Sequence, residues 1–149
     1  MAFAPNFPPV EPHICVKGGL EAIAFYEKAF GAENTFKQLT EDGKRVLHAN
    51  LSLFGGSIML HDEFPEYKNP DGENDVMSPV TRGGASIALN INLARPADVD
   101  AAVNRAVAAG AALIMPVEDT FWNARYGRIR DPFGHVWAFN AALEAPAGE

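Results

Sequence analysis

The stretch Val46–Asp62, VLHANLSLFGGSIMLHD, decides the fold. It alternates with period two on both sides of a Phe54-Gly55-Gly56 turn, which reads as two strands of a hairpin. One face is apolar, with Leu47, Ala49, Leu51 and Leu53 on the first strand and Ile58 and Leu60 on the second. That face belongs against a core. The other face carries His48, Asn50, Ser52, Met59 and His61. It is polar but uncharged, so it is expected to line a cavity rather than meet bulk solvent.

Upstream, His13–Val16 is a short alternating strand, turned by Lys17-Gly18-Gly19. Leu20, Ile23, Ala24 and Phe30 then recur at helical spacing, with Glu21, Glu27 and Lys28 left for solvent and Gly31 placed as a C-terminal cap. Tyr26 lies in this helix as a packing residue. Asn34–Gln38 reads as a strand, and Asp42-Gly43 turns it into the hairpin. The first twelve residues hold four prolines and form an arm.

Downstream, residues 63–84 show no period and are dense in Pro, Gly, Asn and Asp. This segment is a link between two halves or a functional flap. Residues 85–93 alternate, with Ile87, Leu89 and Ile91 against Ser86, Ala88 and Asn90. Residues 97–109 form a second amphipathic helix, stopped by Gly110. Residues 112–115 are a strand, and 118–126 an aromatic loop or strand. Asp131-Pro132-Phe133-Gly134 is a turn in which Asp131 binds its own backbone, and residues 135–140 are a final strand. Trp137 and Phe139 are expected in the core against the second helix. The tail 141–149 is expected to fray.

The two halves repeat. Gly31 and Gly110 lie 110 − 31 = 79 apart, and Phe54-Gly55 and Phe133-Gly134 lie 133 − 54 = 79 apart. The pattern is α+β: two tandem β-α-β-β-β modules, at 1–84 and 85–149, forming one domain with a cupped mixed sheet and helices packed on its outer face.

Composition narrows the function. With 12 Lys and Arg against 19 Asp and Glu, the net charge is −7, which argues against nucleic acid and anionic membranes as partners. The single cysteine, Cys15, rules out an internal disulfide framework and fits a reducing, cytoplasmic setting. It reads as a buried inert thiol. No signal peptide and no membrane-spanning segment are expected.

The segments AIAFYEKAFGAE at 22–33, GKRVLHANLSLFGGSIMLHDE at 43–63 and DVDAAVNRAVAAGAALIMPVEDTFWNARYGRIRDPFGHVWAFN at 98–140 resemble the vicinal oxygen chelate superfamily of glyoxalases, bleomycin-resistance proteins and extradiol dioxygenases. The resemblance is strongest to its PhnB-like branch. It implies the paired β-α-β-β-β fold and a homodimer, and much less about the reaction. The methyltransferase label sometimes given to this branch finds no Gly-rich cofactor loop here.

Metal-dependent members place one ligand on the first and one on the last strand of each module. Carried over by position, these are His13, Met59, Ser86 and Ala138. Such a set cannot hold a divalent ion, because three or more His, Cys, Asp or Glu donors are needed. No cofactor is favoured. If a divalent metal is bound, the candidate ligands are His13, His48 and His61. Candidate ligand-binding residues are His48, Asn50, His61, Trp122, Arg125, Tyr126 and Arg128. A guanidinium in a part-closed cavity suits an anionic or oxygen-rich small molecule. Three functions compete. The first is a glyoxalase-like small-molecule-handling protein without the inherited metal site. The second is a metal-dependent lyase, isomerase or dioxygenase using displaced His ligands. The third is a non-catalytic binding or resistance protein.

Overall fold

The computed structural model describes residues 1–144; the expected fraying of the tail falls largely on residues 145–149, outside the described residues. Strand β1 (His13–Val16), helix α1 (Gly19–Phe30), β2 (Glu33–Leu39), β3 (Val46–Leu53) and β4 (Gly56–Asp62) make the first module. A short helix α2 (Pro79–Arg82) follows. Then come β5 (Ala88–Asn92), α3 (Pro96–Ala109), β6 (Ala112–Asp119), β7 (Ala124–Arg130) and β8 (Val136–Ala142). The strands form two four-stranded mixed sheets, ordered β1-β4-β3-β2 and β5-β8-β7-β6. In each, the first strand runs parallel to the last and the other pairings are antiparallel.

The hairpin folds as its pattern requires, with one change of phase. Ala49, Leu51, Leu53, Ile58 and Leu60 are buried, but Leu47 is 41% exposed. A register shift between Gln38 and Leu39 against β3 puts Val46, fully buried, on the core side instead. Phe54 and Gly55 turn the chain with φ of 50° and 73°, the positive pair a tight two-residue hairpin turn needs. A phenylalanine is tolerated there because its ring packs on Phe30 and Phe139 at 5.5 and 5.6 Å.

The two halves match in register but not in loop construction. His13 pairs with Met59, and Asn90 pairs with Ala138. Asn90 rather than Ser86 therefore stands where His13 stands; Ser86 precedes β5 and is exposed. Helix α3 has 14 residues against 12 in α1, which absorbs the difference. The β7–β8 connection spans five residues, Asp131–His135, where the β3–β4 turn has two. The Phe-Gly pairs share an offset without sharing a geometry.

Each helix packs on the face of its sheet opposite the polar one, as expected. Within the chain these helix-bearing faces share a single core. Trp137 and Phe139 face α1 as well as their own module: Phe30 lies 4.7 and 6.0 Å from their rings, and Tyr26 lies 5.6 Å from Trp137. Both are in the core and α3 packs on their strand, as expected, and α1 covers them as well. Helices α1 and α3 also touch each other. The two polar faces lie on the sides of their sheets opposite this shared core.

Two buried carboxylates set these positions. Asp62, at the end of β4, accepts hydrogen bonds from the Gly18, Gly19 and Val46 amides at 2.9, 2.9 and 2.7 Å. It caps the start of α1, where orphan amides and the helix dipole favour an anion. A Cβ on Gly19 would lie 2.5 Å from Asp62 Oδ2, so only glycine admits this contact. Asp131 holds its own turn through the Phe133 and His135 amides at 2.9 and 3.0 Å. It also accepts from Tyr26 Oη at 2.6 Å and Trp137 Nε1 at 2.9 Å, which ties the modules together. Burial and the Asp131 charge push the Tyr26 hydroxyl well above its ordinary pKa, so it stays a donor.

Asp131→Ala leaves four donors without an acceptor, two of them on buried side chains. It should destabilise the fold by at least ~3 kcal/mol, and Tyr26→Phe by about 1.5–3 kcal/mol. Urea unfolding measures both. Unchanged midpoints would contradict this role for Asp131.

Candidate functional site

The polar face of the first sheet gathers three imidazoles. His13 on β1 stands between His61 on β4 and His48 on β3, with ring centroids 4.8 and 5.5 Å away. His61 Nδ1 hydrogen-bonds the Asp62 carbonyl at 2.7 Å, and His48 Nε2 the Asn50 Oδ1, also at 2.7 Å. Partial desolvation lowers the pKa of His13, helped by repulsion from His61 and His48 and opposed by Glu11. The sequence placed His48, Asn50 and His61 on one face by parity, and they share it. All three are part-exposed.

Cys15 follows on the same face but is buried, at 3% exposure. Desolvation, with smaller contributions from Glu63 and Asp62, pushes its thiol up to about 12. A cleft of about 430 Å³ lies beside it, between β1 and residues 75–87, lined by His13, Cys15, Asp75, Met77, Arg82 and Ser86 among others. The linking segment is pinned over this region. Glu63 accepts from the Ser78 amide at 2.9 Å and from the Ser78 hydroxyl, and Ser78 in turn caps α2. His135, the remaining histidine, hydrogen-bonds the Cys15 carbonyl at 2.7 Å.

The polar face of the second sheet is built in two cross-strand rows. Asn90, Ala138 and Arg128 lie side by side across β5, β8 and β7; Asn92, Asn140 and Tyr126 form the next row. Arg128 Nε donates to Tyr126 Oη at 2.7 Å, and the guanidinium carbon sits 5.6 Å from the Tyr126 ring centre. Trp122 packs edge-on against Tyr126 at 5.6 Å from the β6–β7 turn, and is 50% exposed. Asn92 Oδ1 accepts from Asn90 and Asn140 at 2.9 and 3.3 Å. Among the described residues neither Arg128 nor Arg130 meets a carboxylate.

Arg125 does not share this face. Alternation along β7 turns it toward the helix side, where it binds Asp100 of α3 through two bonds at 2.9 and 2.8 Å and Asp119 at 3.0 Å. Its aromatic neighbours in sequence suggested a ligand role; its parity opposite to Tyr126 and Arg128 already separated it. The asparagines at 90, 92 and 140 were missed as site residues, although the same parity places them here.

The four inherited metal positions, read by register, hold His13, Met59, Asn90 and Ala138. One imidazole, a thioether, an amide and a methyl group do not fit a divalent ion.

The sequence profile of the Glyoxalase/Bleomycin resistance protein/Dioxygenase superfamily matches residues 10–139. An uncharacterized protein of Mycobacterium tuberculosis is 37% identical over 131 residues, covering 88% of this chain and 72% of that one. The protein YjdN of Escherichia coli is 23% identical over 158 residues, covering 93% and 98%. Among solved structures, the PhnB protein of Bacillus cereus superposes with a TM-score of 0.65 at 21% identity, covering 89% and 98%. PhnB and YjdN lie on the branch that the segments at 22–33, 43–63 and 98–140 pointed to.

In the folded protein Cys15 should resist thiol reagents at pH 8, since burial and its raised pKa leave almost no thiolate. Labelling with 5,5′-dithiobis(2-nitrobenzoate) should become fast only in denaturant. Rapid reaction of the native protein would show that the thiol is open.

Proposed function

This chain belongs to the glyoxalase/bleomycin resistance protein/dioxygenase superfamily, and from that premise we propose that it binds a small anionic, oxygen-rich molecule on the polar face of β5, β7 and β8. The observation that carries this reading is Arg128. Its guanidinium is half-buried, oriented by Tyr126 and free of any acidic partner among the described residues. The surrounding Asn90, Asn92 and Asn140 amides donate and accept without adding negative charge. A chain of net charge −7 repels anions at long range, but screening over about 8 Å lets a local guanidinium decide. Trp122 offers an aromatic wall beside it. A carboxylate, phosphonate or enolate matches the paired donors of the guanidinium.

The same reading makes the protein a cytoplasmic homodimer. Both polar faces point outward from the shared core and lie beside exposed apolar side chains: Phe36, Ile87, Met115 and Trp122 are 41 to 61% exposed. A second copy would cover these residues and set the histidine face of one chain against the Arg128 face of the other, enclosing a ligand between them. No helix among the described residues is long and apolar enough to cross a membrane.

Screening small carboxylates, phosphonates and phosphates by ligand-observed NMR should find binders that Arg128→Gln weakens tenfold or more, the loss of one charge-assisted contact. Arg125→Gln should lower thermal stability and leave binding intact. Equal binding to the Arg128 variant, or binding of neutral compounds only, would defeat the assignment. Light scattering should give twice the chain mass; a concentration-independent monomer would remove the two-chain enclosure.

A further inference from the structure

We propose that the ligand held by Arg128 carries a second, separate anionic group and that Arg130 receives it, so that the ligand class is a short-chain dianion such as a dicarboxylate or a phosphono-carboxylate. This rests on the Arg128 reading and narrows it. Arg128 and Arg130 are two residues apart on β7, so their side chains leave the same face of the sheet. At about 3.4 Å of rise per residue their Cα atoms are roughly 7 Å apart.

The flanking strands leave both charges unanswered. Arg130 stands in a row with Ala112, Val136 and Ala88, and Arg128 in a row with Met115, Ala138 and Asn90. Glu118 faces Tyr126, one row beyond Arg128, and pairs with neither guanidinium. The chain has 19 acidic residues, and among the described residues none forms an ion pair with Arg128 or Arg130. Arg45, Arg95 and Arg125, in contrast, each hold a carboxylate. Two like charges on one strand face repel each other. A bound dianion relieves that repulsion and satisfies both forks at once.

There is room for the second group. A cleft of about 430 Å³ lies at the Arg130 end of the face, between the β7–β8 connection and α2, and its walls include the small residues Gly83, Gly84, Ala85 and Gly134. Asp131 also borders this cleft, but its oxygens are already taken by four donors and it is buried. Arg128 leans the other way, because its Nε bonds Tyr126 Oη in the row away from Arg130. The two guanidinia are thereby held apart. That suits two anionic groups joined by a few carbons, rather than one phosphate bridging both. Val136 and Ala138, beside the two arginines on β8, give the connecting chain an apolar floor.

The test compares matched pairs on the full-length protein by saturation-transfer NMR titration: pentanoate with glutarate, hexanoate with adipate, and inorganic phosphate alone. Arg130 is exposed, so its contact is screened, and the longer dianion of at least one pair should bind about fivefold tighter than its monocarboxylate. Arg130→Gln should erase that gain and leave monocarboxylate binding unchanged, whereas Arg128→Gln should weaken both members of the pair. Arg82→Gln is the control for general charge: Arg82 lines the neighbouring cleft and donates to the Asn74 carbonyl, so neither affinity should move. Equal affinities within both pairs, a gain that survives Arg130→Gln, the same loss in Arg82→Gln, or phosphate binding as tightly as the better dicarboxylate would overturn the inference while the Arg128 reading stands. Monocarboxylate binding that ignores Arg128→Gln, or no binding by any of these anions, would remove both.

Discussion

Asp131 is the constraint on which the arrangement of the two modules depends. Its two oxygens accept four hydrogen bonds, two from its own turn and one each from Tyr26 and Trp137. A carboxylate at 3% exposure is costly unless such donors replace its water. Meeting that requirement fixes the five-residue β7–β8 connection, aims Trp137 inward and brings α1 of the first module against the second sheet. With α1 held there, the helix-bearing faces of both sheets share one core. The polar faces must then look outward. The location of both candidate sites follows from where this one charge is buried.

Much of this was legible in the chain because alternation and helical spacing are local. The parity that separated Leu51 from Asn50 on the hairpin also grouped His48 with His61, and it held wherever the strand stayed regular. It failed at Leu47, where a register shift against β2 exchanged its place with Val46. Such shifts come from the partner strand and leave no mark on a single segment. The 79-residue offset found the repeat but could not carry residues between modules. Its landmarks straddle a two-residue and a five-residue turn, so Asn50 corresponds by register to Arg128, one residue short of the offset.

What the chain could not show was which polar groups are already satisfied. Trp122, Arg125, Tyr126 and Arg128 are close neighbours in sequence and looked like one cluster. In the fold, Arg125 is consumed by Asp100, which comes from α3, and by Asp119 across the β6–β7 pair. Arg128 has no such partner among the described residues, because the strands flanking it present Ala138 and Met115. Only three-dimensional bookkeeping of charges separates a structural guanidinium from an available one. The reverse holds for Asp131, whose turn-binding role was readable from Asp-Pro-Phe-Gly, whereas the bonds to Tyr26 and Trp137 required the tertiary fold.

The two polar faces are chemically unlike, and that difference bears on how a ligand would be held. One presents three imidazoles, of which His13 has its pKa lowered by desolvation and by its neighbours His61 and His48. The other presents a permanent cation among amides. Symmetric duplication would have given two equal half-sites. Here the row His13–Met59–Asn50 is answered by Asn90–Ala138–Arg128. The imidazoles are kept on one sheet, and the fixed positive charge on the other. A molecule held between two chains would therefore meet a Lewis-basic wall on one side and an anion-binding wall on the other. It would be oriented by charge rather than by shape alone, which is how a fold with pseudo-symmetric walls can bind an asymmetric ligand in one direction.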